Sequence, residues 1–277
     1  MSYYTPTLFT RRTNFMDNKI IDFLQDEKSS VALVDRMVAN SSLKTVNAAR
    51  CSYDNEKSEF DEKDKRLTKF LWTHEHTSPF RHSYYTFQVK LPIFVARQLM
   101  KYQVGSGFRS VEADGREIFI EEFDHLYDID KGCSWNEVSG RYTQTSEDYY
   151  IPKELRSNPP HGNKQSSEKY YNPMNENVMG YLYPGEVIEY MQQLCTNALY
   201  TYNRMVKNGV AKEQARGILP QCMYTKAYWT LSLQSIIWFL HQRLKPDAQY
   251  EIRMLAEAIY ELMRDDLCEL GITKESL

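Results

Sequence analysis

Residues 83–91 alternate: Tyr85, Phe87, Val89 and Leu91 face one way, Tyr84, Thr86, Gln88 and Lys90 the other. A period of two predicts a strand buried on one face. Residues 32–38 (ALVDRMV) predict another strand, and 41–50 a short helix. Residues 62–74 predict a polar helix with Leu67, Phe70 and Leu71 on its apolar stripe. Pro92 sits where a first helical turn tolerates proline, so 92–103 (PIFVARQLMKYQ) predicts a helix. Asp114 and Gly115, between short β-prone runs, predict a hairpin over 111–120. Residues 134–142 (SWNEVSGRY) predict a polar turn, and the Pro, Asn, Ser and Gly of 152–175 a long loop. The last third predicts helices at 185–207, 228–244 and 246–267. The second carries Trp229, Leu233, Ile236, Ile237, Leu240 and Leu244 as one stripe; the third repeats the pattern from Ile252 to Met263. Strands and helices early, then helices, predict an α+β fold: a mixed or antiparallel sheet with packed helices, in a single domain over 1–277.

Composition narrows the class. The chain is 42% hydrophobic and 26% charged, which are globular values, and its net charge is −3. Nothing global points to nucleic acid, so an anion site must be built from local Arg and Lys. No apolar run approaches the ~20 residues a membrane helix needs, and the start, MSYYTPTLFTRR, lacks an apolar signal core. Five widely spaced cysteines fit a reducing cytoplasm better than a disulfide framework. The 21 tyrosines suit flat ligands or a subunit interface.

Candidate chemistry is local. Ser139-Gly140-Arg141 reads either as a surface turn or as an anion site, with turn amides and an Arg fork on a phosphate. Gln98 and Lys101 share a helix face, with Arg97 beside them. That face is either solvated or suited to an amide-like base edge. Arg243 follows the apolar stripe and needs an anionic or carbonyl partner; Glu251, Asp247 and a ligand are the candidates. His74, His76 and His82 lack a metal-binding spacing, so no metal is expected. Cys222 follows Pro220 and Gln221, and Lys226, taken as one helical turn on, could activate it; an inert, buried thiol is the reading adopted. There is no GxGxxG, P-loop or GxSxG motif.

In order, these stretches resemble the flavin-dependent thymidylate synthases over roughly residues 45–265. The matches are AARCS (48–52), HEHTSPFRH (74–82), TFQVKLPIFVARQ (86–98), SWNEVSGRY (134–142), YIP (150–152), ARGILP (215–220) and SLQSIIWFLHQRL with DAQYEI (232–252). The resemblance implies that Arg243 binds the pyrimidine and polarises it. It assigns Gln98, Lys101, Glu137, Val138, Ser139, Gly140, Arg141 and Arg216 to dUMP. It assigns Ser52, His76, Ser78, Lys101, Tyr102, Gln103, Glu137, Ser232 and Gln234 to FAD. Ser139 positions substrate, since the family chemistry uses no nucleophile. The implied reaction converts dUMP to dTMP, with methylenetetrahydrofolate giving one carbon and FAD, reduced by NADPH, giving hydride. A cytoplasmic homotetramer with shared sites is implied, with no nucleic-acid or membrane partner. A pyrimidine-hydroxymethylating relative and a non-catalytic nucleotide-binding protein are the alternatives.

Three departures stand out. The family's Arg-His-Arg is Lys101-Tyr102-Gln103 here, as in phage-encoded members, which exchanges a bidentate fork for a point charge. Residues 106–133 intervene where the family runs straight on, and read as an inserted hairpin or lid. The family's Asn-x-Arg is Ser232-Leu233-Gln234, which removes another cation from the flavin side.

Overall fold

The computed structural model describes residues 19–37, 41–100, 110–113, 116–119, 133–142, 146–157, 167 and 184–277. Its frame is a five-stranded antiparallel sheet in the order β1-β2-β3-β7-β6. The strands are β1 (Ile20–Ile21), β2 (Ser30–Arg36), β3 (Tyr84–Pro92), β6 (Cys133–Glu137) and β7 (Tyr224–Ser232). The α+β expectation holds, with every pairing antiparallel. A separate hairpin, β4 (Ser110–Ala113) with β5 (Arg116–Phe119), stands where the Asp114 and Gly115 signal predicts one. The rest of the 106–132 stretch, like most of the predicted long loop after residue 157, lies outside the described residues.

The central pair, β3 and β7, runs in unbroken register from Tyr84 opposite Ser232 to Pro92 opposite Tyr224. Tyr85, Phe87, Val89 and Leu91 are fully buried, as their alternation predicts. They meet Ala227, Trp229 and Leu231 of β7 on the face covered by α6 (Leu233–Arg243) and α7 (Tyr250–Glu269). Trp229 lies 6.1 Å from Phe87 and 5.5 Å, edge-on, from Phe239 of α6. The opposite face is polar: Thr86, Gln88 and Lys90 stand beside Thr230, Tyr228 and Lys226.

Four expectations need correction. Residues 228–232 are strand, not helix: Thr225, Ala227, Trp229 and Leu231 point inward while Lys226 and Tyr228 point out, a period of two. Trp229 falls four residues before Leu233, so one accident of spacing extends the helical stripe backwards into the strand. The first half of 134–142 is also strand, since β6 pairs with β7 from Cys133 to Glu137. Pro92 closes β3 and caps the helix α3 (Ile93–Leu99) rather than opening its first turn; its φ of −61° and ψ of 143° are extended. Phe70 is 50% exposed rather than on a buried stripe of α2 (Glu62–Thr73).

The helices α1 (Ser41–Arg50) and α4 (Pro184–Lys207) match closely, and the short α5 (Lys212–Ala215) is one that the sequence pattern does not predict. A capping box starts α2: the Asp61 carboxylate accepts from the Asp64 amide at 3.0 Å, and the Asp64 carboxylate from the Asp61 amide at 2.9 Å.

Candidate active site

Sheet direction sorts the predicted site residues into two groups. At one end β3 finishes, β6 finishes and β7 begins. Gln98 lies on α3, directly after β3. Glu137 closes β6, and Val138, Ser139, Gly140 and Arg141 follow it. Arg216 opens a single 3-10 turn, Arg216–Ile218, that leads into β7. Arg243 ends α6, which starts at the far end of β7 and runs back across the sheet.

Each of these side chains is placed by local bonds. Thr225 Oγ1 donates to Glu137 Oε1 at 2.5 Å and Trp135 Nε1 to Oε2 at 3.2 Å, so the carboxylate is clamped against β7. The Val138 amide donates to the Lys226 carbonyl at 2.9 Å and launches the turn off the sheet. In the turn the Tyr142 amide donates to the Ser139 carbonyl at 3.1 Å, and the Arg141 amide to Ser139 Oγ at 3.4 Å. Arg141 stays exposed, its guanidinium 5.1 Å from the centre of the Tyr142 ring. Arg216 is exposed and Arg243 half-buried. Lys101, Tyr102 and Gln103 lie outside the described residues.

Gln98 Nε2 donates to Gln249 Oε1 at 2.5 Å, and Gln249 Nε2 to Glu251 Oε2 at 2.8 Å. Glu251 is 2% exposed. Its Oε1 also accepts from Arg156 and, at 3.0 Å, from the Tyr150 hydroxyl. Burial pushes the Glu251 carboxyl up, but the bonds from Arg156 and Gln249 outweigh it and hold the group below the usual carboxylate value. Burial, then the nearby Glu251 charge, pushes the Tyr150 hydroxyl far up, so it stays a donor. Glu251, one of the acidic candidates for Arg243, is thus held by Arg156, Tyr150 and Gln249. The network borders a cleft of about 240 Å³ lined by Tyr150, Arg156, Pro246, Ala248, Tyr250 and Arg253 among others. Sequence reasoning missed Gln249, although it sits inside the DAQYEI stretch. It missed the Tyr150–Arg156–Glu251 cluster because the two halves are 95 residues or more apart.

Cys222 lies in the turn before β7, its Sγ 3.3 Å from Cys195 Sγ of α4; both are free thiols. Burial and the Cys195 thiol push the Cys222 thiol up to about 12. Lys226 is not one helical turn away: it is on the strand and exposed. Cys222 therefore has the opposite of the electropositive setting a nucleophilic thiolate needs.

The second group gathers at the other end of the sheet, where β3 begins, β7 ends and α6 begins. A 3-10 turn, Ser78–His82, enters β3 and packs on α1; Ser52 follows α1. The α2 helix ends in a Schellman closure: Glu75 adopts φ +59°, the His76 amide donates to the Leu71 carbonyl at 2.8 Å, and the Glu75 amide to Trp72 at 3.1 Å. That reversal sets His74 and His76 on the exposed Phe70 ring, with centroids 4.0 and 6.5 Å away. Ser52, His76 and Ser78 are exposed. Ser232 and Gln234 are buried. Ser232 Oγ accepts from the Ser235 amide at 3.2 Å, an N-cap for α6. Gln234 Oε1 accepts from Arg81 Nε at 2.7 Å. Arg81 was not singled out in the sequence, although it sits within HEHTSPFRH.

A five-stranded antiparallel sheet with helices packed on it, and a separate hairpin, define an α+β protein. A family model described as thymidylate synthase complementing protein matches residues 32–267, and the chain belongs to this family. The flavin-dependent thymidylate synthase of Thermotoga neapolitana is 32% identical over 239 residues, 86% of this chain and 87% of that one. The enzyme of the same name from Kosmotoga olearia is 34% identical over 238 residues, 86% of each chain. In fold the chain is similar to the solved UMP/dUMP methylase PolB from Streptomyces cacaoi bound with 5-Br dUMP. The TM-score is 0.64 and the identity 24%, over 89% of this chain and 96% of that one.

Proposed function

We propose that the protein is a flavin-dependent thymidylate synthase that converts dUMP to dTMP, with methylenetetrahydrofolate as carbon donor and NADPH as reductant. The observation that carries this reading is the family match across 32–267. The fold agrees with it: Gln98, Glu137 to Arg141, Arg216 and Arg243 all attach at one end of the sheet.

Arg141 and Arg216, both exposed, bind the dUMP phosphate, and the Ser139-Gly140 turn offers amides to the same anion. Gln98 can donate to and accept from the edge of the base, exchanging its bond to Gln249 for one to substrate. Arg243, half-buried, holds the pyrimidine and stabilises negative charge that develops on its ring. Glu137 is held rigid by Thr225 and Trp135 to orient the bound nucleotide. Ser139 positions and does not attack.

The residues at the other end suit a flavin dinucleotide: exposed hydroxyls at Ser52 and Ser78, exposed rings at Phe70, His74 and His76, and a cation at Arg81. Glu137, at the end of β6, and Lys101, Tyr102 and Gln103, which follow α3 in the sequence, complete the proposed set from outside that cluster. Bound FAD would supply the hydride. Ser232 serves the pocket through the N-cap of α6, and Gln234 through Arg81.

The two ends are separated by β3, nine residues long, or about 26 Å of extended chain. One chain therefore does not bring its two groups together. A site using both takes them from different copies, which supports a homo-oligomer with shared sites, the homotetramer that the resemblance implies. Incubation with dUMP, methylenetetrahydrofolate, FAD and NADPH tests the proposal by mass analysis of the nucleotide. A gain of one methyl group supports it, a hydroxymethyl product replaces it, and unchanged dUMP contradicts it.

A further inference from the structure

We propose that Arg81 is a binding residue for the diphosphate of FAD, standing in for the cation that Gln234 has removed from α6. This rests on the flavin-dependent reading above. Gln234 occupies the first turn of α6, where the resemblance expects an arginine, and it is buried and neutral. Arg81 projects from the turn Ser78–His82 on the adjoining element, is exposed, and donates from Nε to Gln234 Oε1 at 2.7 Å. That single bond fixes the plane of the guanidinium and engages only Nε. The four N–H groups on its two Nη atoms form the fork that binds phosphate oxygens two at a time.

Charge favours the same assignment. The partner of Arg81 is a neutral amide, and among the described residues no carboxylate is paired with it. Its positive charge is therefore not cancelled within the described chain, unlike that of Arg50 on Asp64 or Arg156 on Glu251. A dianionic diphosphate held by its Nη fork would supply the counter-charge that Gln234 does not. A cation brought in on the turn rather than on the helix keeps charge at this end of the sheet despite the neutral Gln234.

The test is FAD binding by quenching of flavin fluorescence, at two ionic strengths, with circular dichroism confirming folded protein. Arg81→Ala should weaken FAD binding at least tenfold, as loss of a charged hydrogen bond does, and flatten its salt dependence. Arg81→Lys, which keeps the charge, should remain within about threefold of the unaltered protein. Arg81→Gln with Gln234→Arg, which returns the cation to α6, should recover most of the affinity. Arg81→Ala binding FAD within twofold of the unaltered protein would overturn the proposal, as would Arg81→Lys binding no better than Arg81→Ala. No FAD binding by the unaltered protein would overturn the flavin-dependent reading itself, and this proposal with it.

Discussion

Glu251 is a buried carboxylate that accepts from Tyr150, Arg156 and Gln249, and its charge is what the folded chain protects. Because folding lowers its pKa, the unfolded chain takes up its proton first as pH falls. The stability it contributes is fully present above pH ~4.5 and is lost as pH drops through the lower folded value. Thermal melts between pH 3 and 7 should therefore show an acid-side loss that Glu251→Gln diminishes. Removing the partner is more costly: Arg156→Ala leaves a buried charge short of its cation and should destabilise by about 3 kcal/mol in urea unfolding. A loss under 1 kcal/mol would show that Tyr150 and Gln249 suffice. At Cys222 the expected result is the reverse. A thiol pushed up to about 12 beside Cys195 should react slowly with disulfide reagents, and Cys222→Ala should keep dUMP turnover. Lost turnover in a folded Cys222→Ala protein would reinstate the thiolate.

At the scale of elements, the sequence was most legible where one period ran alone. The alternation of β3, α1 and the body of α4 emerged with boundaries close to those read from the pattern. It misled where two periods met. In β7 and α6 a strand passes into a helix at Ser232 with no glycine or proline between, and Trp229 fits both patterns. The missed signal was Ser232 itself, an N-cap residue directly ahead of Leu233. Ser232→Ala should cost about 1 kcal/mol of stability by loss of that cap. Trp229→Ala, which empties the contact between sheet and α6, should cost about 3–5 kcal/mol; a loss below 1.5 kcal/mol would mean that the core does not centre on this pair. The site was legible only in pieces. Individual stretches gave Gln98, Arg141, Arg216 and Arg243, but the Gln98–Gln249–Glu251–Arg156 chain joins segments 95 to 151 residues apart, and no local pattern reports such pairing.

At the scale of the molecule, the sheet separates what the reaction must unite. Arg243 ends α6 near the finish of β3, whereas His76 and Ser78 lie before its start. Arg243→Ala and His76→Ala proteins, each inactive alone, should regain part of the turnover when unfolded and refolded together, because mixed assemblies contain sites with both residues intact. No recovery, with mixed assemblies demonstrated, would contradict sharing between copies. The claim that all else depends on is flavin-dependent attack at the 5-carbon of dUMP. Tritium released from that carbon should require dUMP, FAD, NADPH and methylenetetrahydrofolate together, and should stop when FAD or the folate is omitted. Release that continues without flavin would contradict the account and return the chemistry to a protein nucleophile.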